Sequence, residues 1–216
     1  MSAPLPPIAV RLPPGAAEEL IRLVKGLEVE AVAVGPDVLA GPGPALVGAL
    51  ARLTTVIVDT RIAGSGVAPV VSALAGFGAA AVTVSALGGD APLRTALEAV
   101  TGRRTLVVAA AATPDVKGGL GVFGARDSVG KVVSRATRIA SEAGIPAMLT
   151  EVEHLGVVAE VGPEMRRLAV ASSVDVAADA RRRGASTVLL DLGLGGMGAA
   201  KARTVVAEAL GTVSGT

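Results

Sequence analysis

Residues 56–89, VIVDTRIAGSGVAPVVSALAGFGAAAVTVSALGG, decide the fold. Val56–Val58 reads as a short apolar strand and Asp59–Gly66 as a polar, glycine-rich turn. Val67–Ala75 reads as a helix, Ala81–Val84 as the next strand, and Gly88-Gly89 as another turn. Strand, crossover helix and strand make a βαβ unit, whose strands lie parallel. Asp59 and Arg61 stand at the carboxyl end of the first of these strands. In parallel α/β folds that is where ligands and chemistry sit.

The same pattern recurs outward in both directions. Strands are predicted at Ile8–Arg11, Ala31–Val34, Val56–Val58, Ala81–Val84, Leu106–Ala110, Ala147–Leu149, Arg167–Val170 and Thr187–Leu190. Helices are predicted at Ala16–Lys25, Gly43–Arg52, Val67–Ala75, Pro92–Val100, Ser128–Glu142, Val152–Glu160, Ser173–Arg182 and Ala199–Leu210. Eight βα units in 216 residues predict a compact α/β fold, a (β/α)8 TIM barrel with a parallel eight-stranded barrel, as one domain over residues 1–216. A doubly wound Rossmann-type sheet is the rival. The first turn, RLPPGAAEE, lacks the Gly-x-Gly-x-x-Gly of that fold. Punctuation agrees with the helix ends: Gly78, Gly144 and Gly184 follow helices, and Arg181–Arg183 suit a helix C-terminus. Asp127-Ser128 is a candidate N-cap. The small, polar tail Gly211–Thr216 is expected to fray.

Composition narrows the function classes. Hydrophobic residues make up 51% of the chain and aromatics 1%, with no Trp or Tyr, so Val, Leu, Ile and Ala must build the core. Mean hydropathy is +0.62. Even so, Gly, Pro or a charge interrupts every apolar stretch before the roughly 18–20 residues that a membrane span needs. Twenty basic and 19 acidic residues leave a net charge of +1, which steers the chain neither to nucleic acid nor to an anionic membrane. Without cysteine there is no disulfide, thiol chemistry or cysteine metal site. No basic segment followed by a long apolar run opens the chain, so a cytoplasmic protein is expected. No cofactor is implied.

Four stretches in order resemble the orotidine 5′-phosphate decarboxylase family, more closely than the related hexulose-phosphate synthases. They are Val34–Asp37 with Gly43–Val47, Asp59–Gly66, Val82–Gly89, and Gly118–Met148. The resemblance implies a barrel whose mouth carries an array of alternating charges, a pyrimidine nucleotide or sugar-phosphate ligand, and a homodimer. In that array an Asp closes strand one and a Lys closes strand two. Strand three supplies Asp-x-Lys-x-x-Asp, and loops after strands seven and eight hold phosphate. This chain keeps the first strand-three Asp as Asp59. Arg11, Ala33, Arg61 and Gly64 stand where the other charges belong. Ala111–Ala112 replace a Thr-Ser pair that touches the pyrimidine. Ala169–Ser173 leave no room for a long loop after strand seven. Asp191-Leu192 replace the strand-eight Gly-Arg.

These replacements predict a divergent member of the family, with decarboxylation weak or lost. The alternative is a non-catalytic barrel that binds a phosphorylated ligand or serves a regulatory or structural role as a homodimer. Asp59 and Arg61 are the catalytic candidates. They also suit an ion pair that plugs the barrel, because positions i and i+2 of a strand point the same way. Arg11, Asp191, Gly193, Gly195 and Gly196 are the substrate-binding candidates. Gly193–Gly198 precedes a helix, and such backbone can cradle phosphate without a charged side chain, or merely close the barrel. Arg11, Asp59, Arg61 and Asp191 together form a candidate charge cluster. A mouth filled by Leu87, Met148 and Leu192 would instead favour a structural role. No metal site is expected, and His154, the single histidine, reads as surface or helix cap.

Overall fold

A computed structural model describes residues 4–111 and 128–214. Eight strands, β1 (Ile8–Arg11), β2 (Ala31–Val34), β3 (Thr55–Ile62), β4 (Ala81–Ser85), β5 (Leu106–Ala110), β6 (Ala147–Glu151), β7 (Arg166–Ala171) and β8 (Thr187–Leu190), pair in parallel in sequence order. β1 also pairs with β8, Ile8 opposite Val188 and Val10 opposite Leu190, so the sheet closes. Closure rules out the open Rossmann-type sheet and leaves no strand edge unpaired. Among the described residues the helices are α1 (Ala17–Leu27), α2 (Pro36–Leu39), α3 (Ala45–Ala51), α4 (Val67–Gly76), α5 (Asp90–Ala99), α6 (Val129–Glu142), α7 (Leu155–Val161), α8 (Val174–Arg182) and α9 (Ala199–Ser214).

The period of two along each strand divides the core into two layers. Ala9, Ala31, Ala33, Ile57, Ala81, Leu106, Val108, Ala110, Ala147, Leu149, Leu168 and Leu189 form one buried cluster. It draws on all eight strands, so it is the barrel interior. The intervening residues, among them Val32, Val34, Val56, Val58, Val82, Val84 and Met148, pack outward against the helices. Met148 therefore cannot plug the mouth. Leu87 is exposed, and Leu192 packs beside α8 and α9 residues. Alanine holds half of the interior positions, and a few large aliphatics from the facing strands fill the space. That is how a chain almost without aromatics packs a barrel.

The helix ends follow from local chemistry. Ser128 accepts a hydrogen bond from the Lys131 amide at the start of α6, and Ser173 accepts one from Val176 at the start of α8. Replacing Ser173 by alanine is expected to cost about 1 kcal/mol, read as a lower urea midpoint at unchanged slope. Arg181 donates to the carbonyls of Ala185 and Ser186 beyond the end of α8, where Gly184 takes φ +85°. Only Ser172-Ser173 separate β7 from α8, so the long loop after strand seven is absent.

Several boundaries differ from expectation. Strand β3 runs four residues past Val58 because Thr60 and Arg61 bond to β4. Residues 152–154 form a 3-10 turn, and the α-helix starts only at Leu155. The tail does not fray from Gly211: α9 continues to Ser214. Val206, Ala209 and Val213 stay on one buried face, and their burial outweighs the small, polar character of the residues between them. Ala112, Gly118–Gly124 and Asp127 lie outside the described residues. No helix among the described residues is long and apolar enough to cross a membrane.

Candidate functional site

The interior alternation carries Arg11, Asp59 and Thr83 into the mouth, two residues beyond Ala9, Ile57 and Ala81 respectively. At this level β3 is irregular. Val58 pairs with Val82 and Ile62 with Val84, so Asp59, Thr60 and Arg61 stand opposite Thr83 alone. Such a bulge re-aims side chains and is common beside functional sites. Arg61 absorbs the extra length with φ +47°, a left-handed conformation that costs a non-glycine residue about 1 kcal/mol or more. Thr83 fastens the bulge. Its hydroxyl accepts from the Arg61 amide at 2.9 Å and donates to Asp59 Oδ1 at 2.9 Å, and its carbonyl accepts from Thr60 Oγ1 at 3.1 Å.

Asp59 is the hub. Arg61 grips it with both arms of its fork, Nε to Oδ1 and Nη2 to Oδ2, each at 3.1 Å. Arg11 Nη1 reaches Oδ2 at 3.1 Å. The Asp59 side chain is 1% exposed, against 23% for Arg11 and 26% for Arg61. Both carboxylate oxygens are thus occupied and shielded, and the face turned to solvent is guanidinium. Gly35, at the end of β2, makes room: a Cβ there would meet Arg11 Nη2 at 2.9 Å and would also collide with Asp37 Oδ1. Ala33 is fully buried and level with Arg11, and Gly64 opens a 3-10 turn with free space around it. Neither adds a charge.

Three of the four residues expected to cluster therefore meet, and Asp191 does not join them. Its Oδ1 accepts from the Gly193 amide at 3.0 Å, so the carboxylate serves its own loop. Gly193 and Gly196 take φ +60° and +73°, and buried Leu194 pins the loop to the barrel. Gly196 and Gly198, with Pro13–Gly15, Glu19 and Arg22, line a cavity of about 410 Å³ between this loop and α1. A Cβ added at Gly195 would sit 3.8 Å from Pro13 Cβ, in ordinary contact. His154 is half-buried and precedes α7 without capping it through its side chain. No group of His, Asp and Glu among the described residues could hold a metal ion. Sequence reasoning overlooked Thr83, although a hydroxyl at an inward position of the valine-rich strand AVTVS was the available signal. It also overlooked Glu151, half-buried at the carboxyl end of β6.

No family model matches the chain. The orotidine 5′-phosphate decarboxylase of Thermobifida fusca (strain YX) is 32% identical over 166 residues, 74% of this chain and 71% of that protein. Among solved structures, the orotidine 5′-phosphate decarboxylase of Lactobacillus acidophilus superposes with a TM-score of 0.81 at 17% identity, over 94% of this chain and 98% of that one. An uncharacterized conserved protein from Geobacillus kaustophilus gives a TM-score of 0.78 at 19% identity, over 94% and 99%. The two structures speak for the shared barrel. The T. fusca relative carries the assignment beyond the fold: this chain belongs to the orotidine 5′-phosphate decarboxylase family.

Proposed function

We propose that this barrel binds a phosphorylated small molecule and has lost most or all of the decarboxylation for which its T. fusca relative is named. The observation that carries the reading is the saturation of Asp59. Its two oxygens are held by Arg11, Arg61 and Thr83, and among the described residues no ammonium is bonded to it. Decarboxylation leaves a carbanion that needs a positioned proton donor. A guanidinium keeps its proton across the biological pH range and serves poorly as that donor. Ala33 and Gly64 supply none of the remaining charge, and preorganised charge is usually the largest catalytic term. The two-residue link after β7 offers no long segment to grip a phosphate.

Phosphate affinity is assigned to the Gly193–Gly198 backbone ahead of α9, where amide groups and the helix dipole favour an anion. A homodimer belongs to the same proposal. The test is incubation of the purified protein with orotidine 5′-phosphate, following loss of the orotate chromophore. No turnover above the uncatalysed background is expected. Turnover at about 1 per second or faster, the ordinary range of enzymes, would overturn the reading. In parallel, uridine 5′-phosphate or inorganic phosphate at a hundredfold excess over its Kd should stabilise the fold by about 2.7 kcal/mol, read as a higher Tm.

A further inference from the structure

We infer that the amino-terminal end of the barrel, opposite the mouth, is a docking surface for an acidic segment of another polypeptide. Leu53 and Phe77 are its apolar anchors, and Arg52, Arg103 and Arg104 meet the acidic side chains. The inference is independent of the phosphate-binding reading.

Composition is the first argument. The chain has two phenylalanines and neither tryptophan nor tyrosine, and Phe77 is 41% exposed. Leu53 is 42% exposed. Among the described residues the one further exposed large hydrophobic is Leu87, at the other end of the barrel. Leu53 follows α3 and Phe77 caps α4, and the two corners touch. A Cβ at Gly48 of α3 would lie 3.2 Å from Phe77 Cδ1, and one at Gly78 would lie 3.2 Å from Ala51 Cβ. Beside them an open groove of about 760 Å³ runs under the starts of the first five strands, with Leu53 and Val29 in its lining. Exposed apolar surface rimmed by polar residues marks an interaction site. Aromatic residues and arginine are the types enriched in interfaces and in their hot spots.

Charge is the second. Arg52 and Arg104 line the groove. Neither guanidinium has a hydrogen bond or ion pair among the described residues. Arg103, next in the chain, is held on α4 by the Ser72 carbonyl at 2.9 Å, a neutral partner that leaves its charge uncompensated. Glu30 is the acid in the groove. Its carbonyl accepts from the Thr55 amide, and its carboxylate bonds to none of the three arginines. Glu28, Glu98 and Lys25, at the ends of α1 and α5, are not part of the lining. The surplus is positive, so the complementary occupant is acidic.

Shape and rigidity decide the kind of occupant. A second copy would set arginine against arginine. A flat bilayer would leave the groove and Glu30 uncovered. A polypeptide segment can enter the groove and place an apolar side chain on Leu53 and Phe77. The floor is preformed, which lowers the cost of ordering on binding. Thr54 Oγ1 donates to the Val29 carbonyl at 2.7 Å and Thr105 Oγ1 to that of Ala79 at 2.8 Å. The amides of Leu53 and Thr54 both donate to the Leu50 carbonyl. A partner docked here leaves the barrel mouth open to its ligand.

The test is selection from a random peptide display library on the whole protein, followed by fluorescence anisotropy of the enriched peptides. Enrichment of Asp and Glu around an apolar side chain is expected, with binding that weakens as salt is raised. The double variant Arg52→Glu, Arg104→Glu should weaken it about tenfold or more, and Phe77→Ser and Leu53→Ser about fivefold or more each. All four side chains are exposed, so the variants should melt close to the parent, which checks folding. No enrichment, basic or uncharged consensus peptides, or binding unchanged in the arginine double variant overturns the inference. Phosphatidylserine vesicles bound in place of peptides, with the same dependence on Arg52 and Arg104, overturn it in favour of a membrane. A dimer that Phe77→Ser splits overturns it in favour of a second copy.

Discussion

Asp59→Ala is expected to lower stability by about 3 kcal/mol and the Tm by about 6–12 °C. The reason lies in what remains. Asp59 is 1% exposed and pairs with two guanidinium groups that themselves have limited access to water. Removing one partner of a buried ionic cluster leaves uncompensated charge, and here the charge left is two like groups face to face. The partial exposure of both arginines lets them swing outward, which keeps the effect at the lower end of the usual range. The Thr83 hydroxyl, which accepts from the Arg61 amide and donates to Asp59, loses its acceptor as well. A control separates charge from shape. The triple variant Arg11→Met, Asp59→Leu, Arg61→Met replaces the cluster by apolar groups and should recover most of the loss. An alanine variant that melts within about 2 °C of the parent would show that Asp59 is not the hub.

Leu189→Ala is expected to cost about 3 kcal/mol, with a drop in Tm similar to that of Asp59→Ala. Leu189 is fully buried and belongs to the interior cluster, paired to Ala9 on β1 and Val170 on β7. Its neighbours across the interior include Ala31, Ala33 and Ala81, which are too short to move into the space. The closed hydrogen-bonded sheet also prevents the walls from collapsing inward. The void therefore stays open, and cavity and transfer terms add. Leu87→Ala is the matched control: Leu87 is 49% exposed, and its loss should change stability by no more than about 0.5 kcal/mol. Urea unfolding of the two variants checks both. Equal effects would refute the two-layer description of the core.

Much of the barrel could be read along the chain. Four strands, β1, β2, β5 and β8, coincide with the expected segments, because the short, β-branched, apolar runs IAVR, AVAV, LVVAA and TVLL, bounded by turn residues, suit buried parallel strands. Where strands overran their expected ends, tertiary hydrogen bonds were the cause: the extension of β3 depends on Thr83, more than 20 residues away in sequence. The helical tail was misjudged because the burial of Val213 is a property of the assembled barrel and not of the local composition. Arg11, Asp59 and Arg61 were legible as charges at strand ends.

Periodicity and composition alone determined that this chain alternates strands and helices around a parallel sheet built from small aliphatic residues, since period and length of apolar runs are local quantities; closure of that sheet excluded the Rossmann-type rival. They also determined which charges lie at its mouth. Only the tertiary structure decided how those charges pair. Residues 48 positions apart meet in the Arg11–Asp59 bridge, Asp191 is drawn away by its own loop, and a threonine hidden in a strand of valines holds the bulge that aims Arg61. Pairing depends on register, bulge and approach distance, and these are fixed only when the sheet closes.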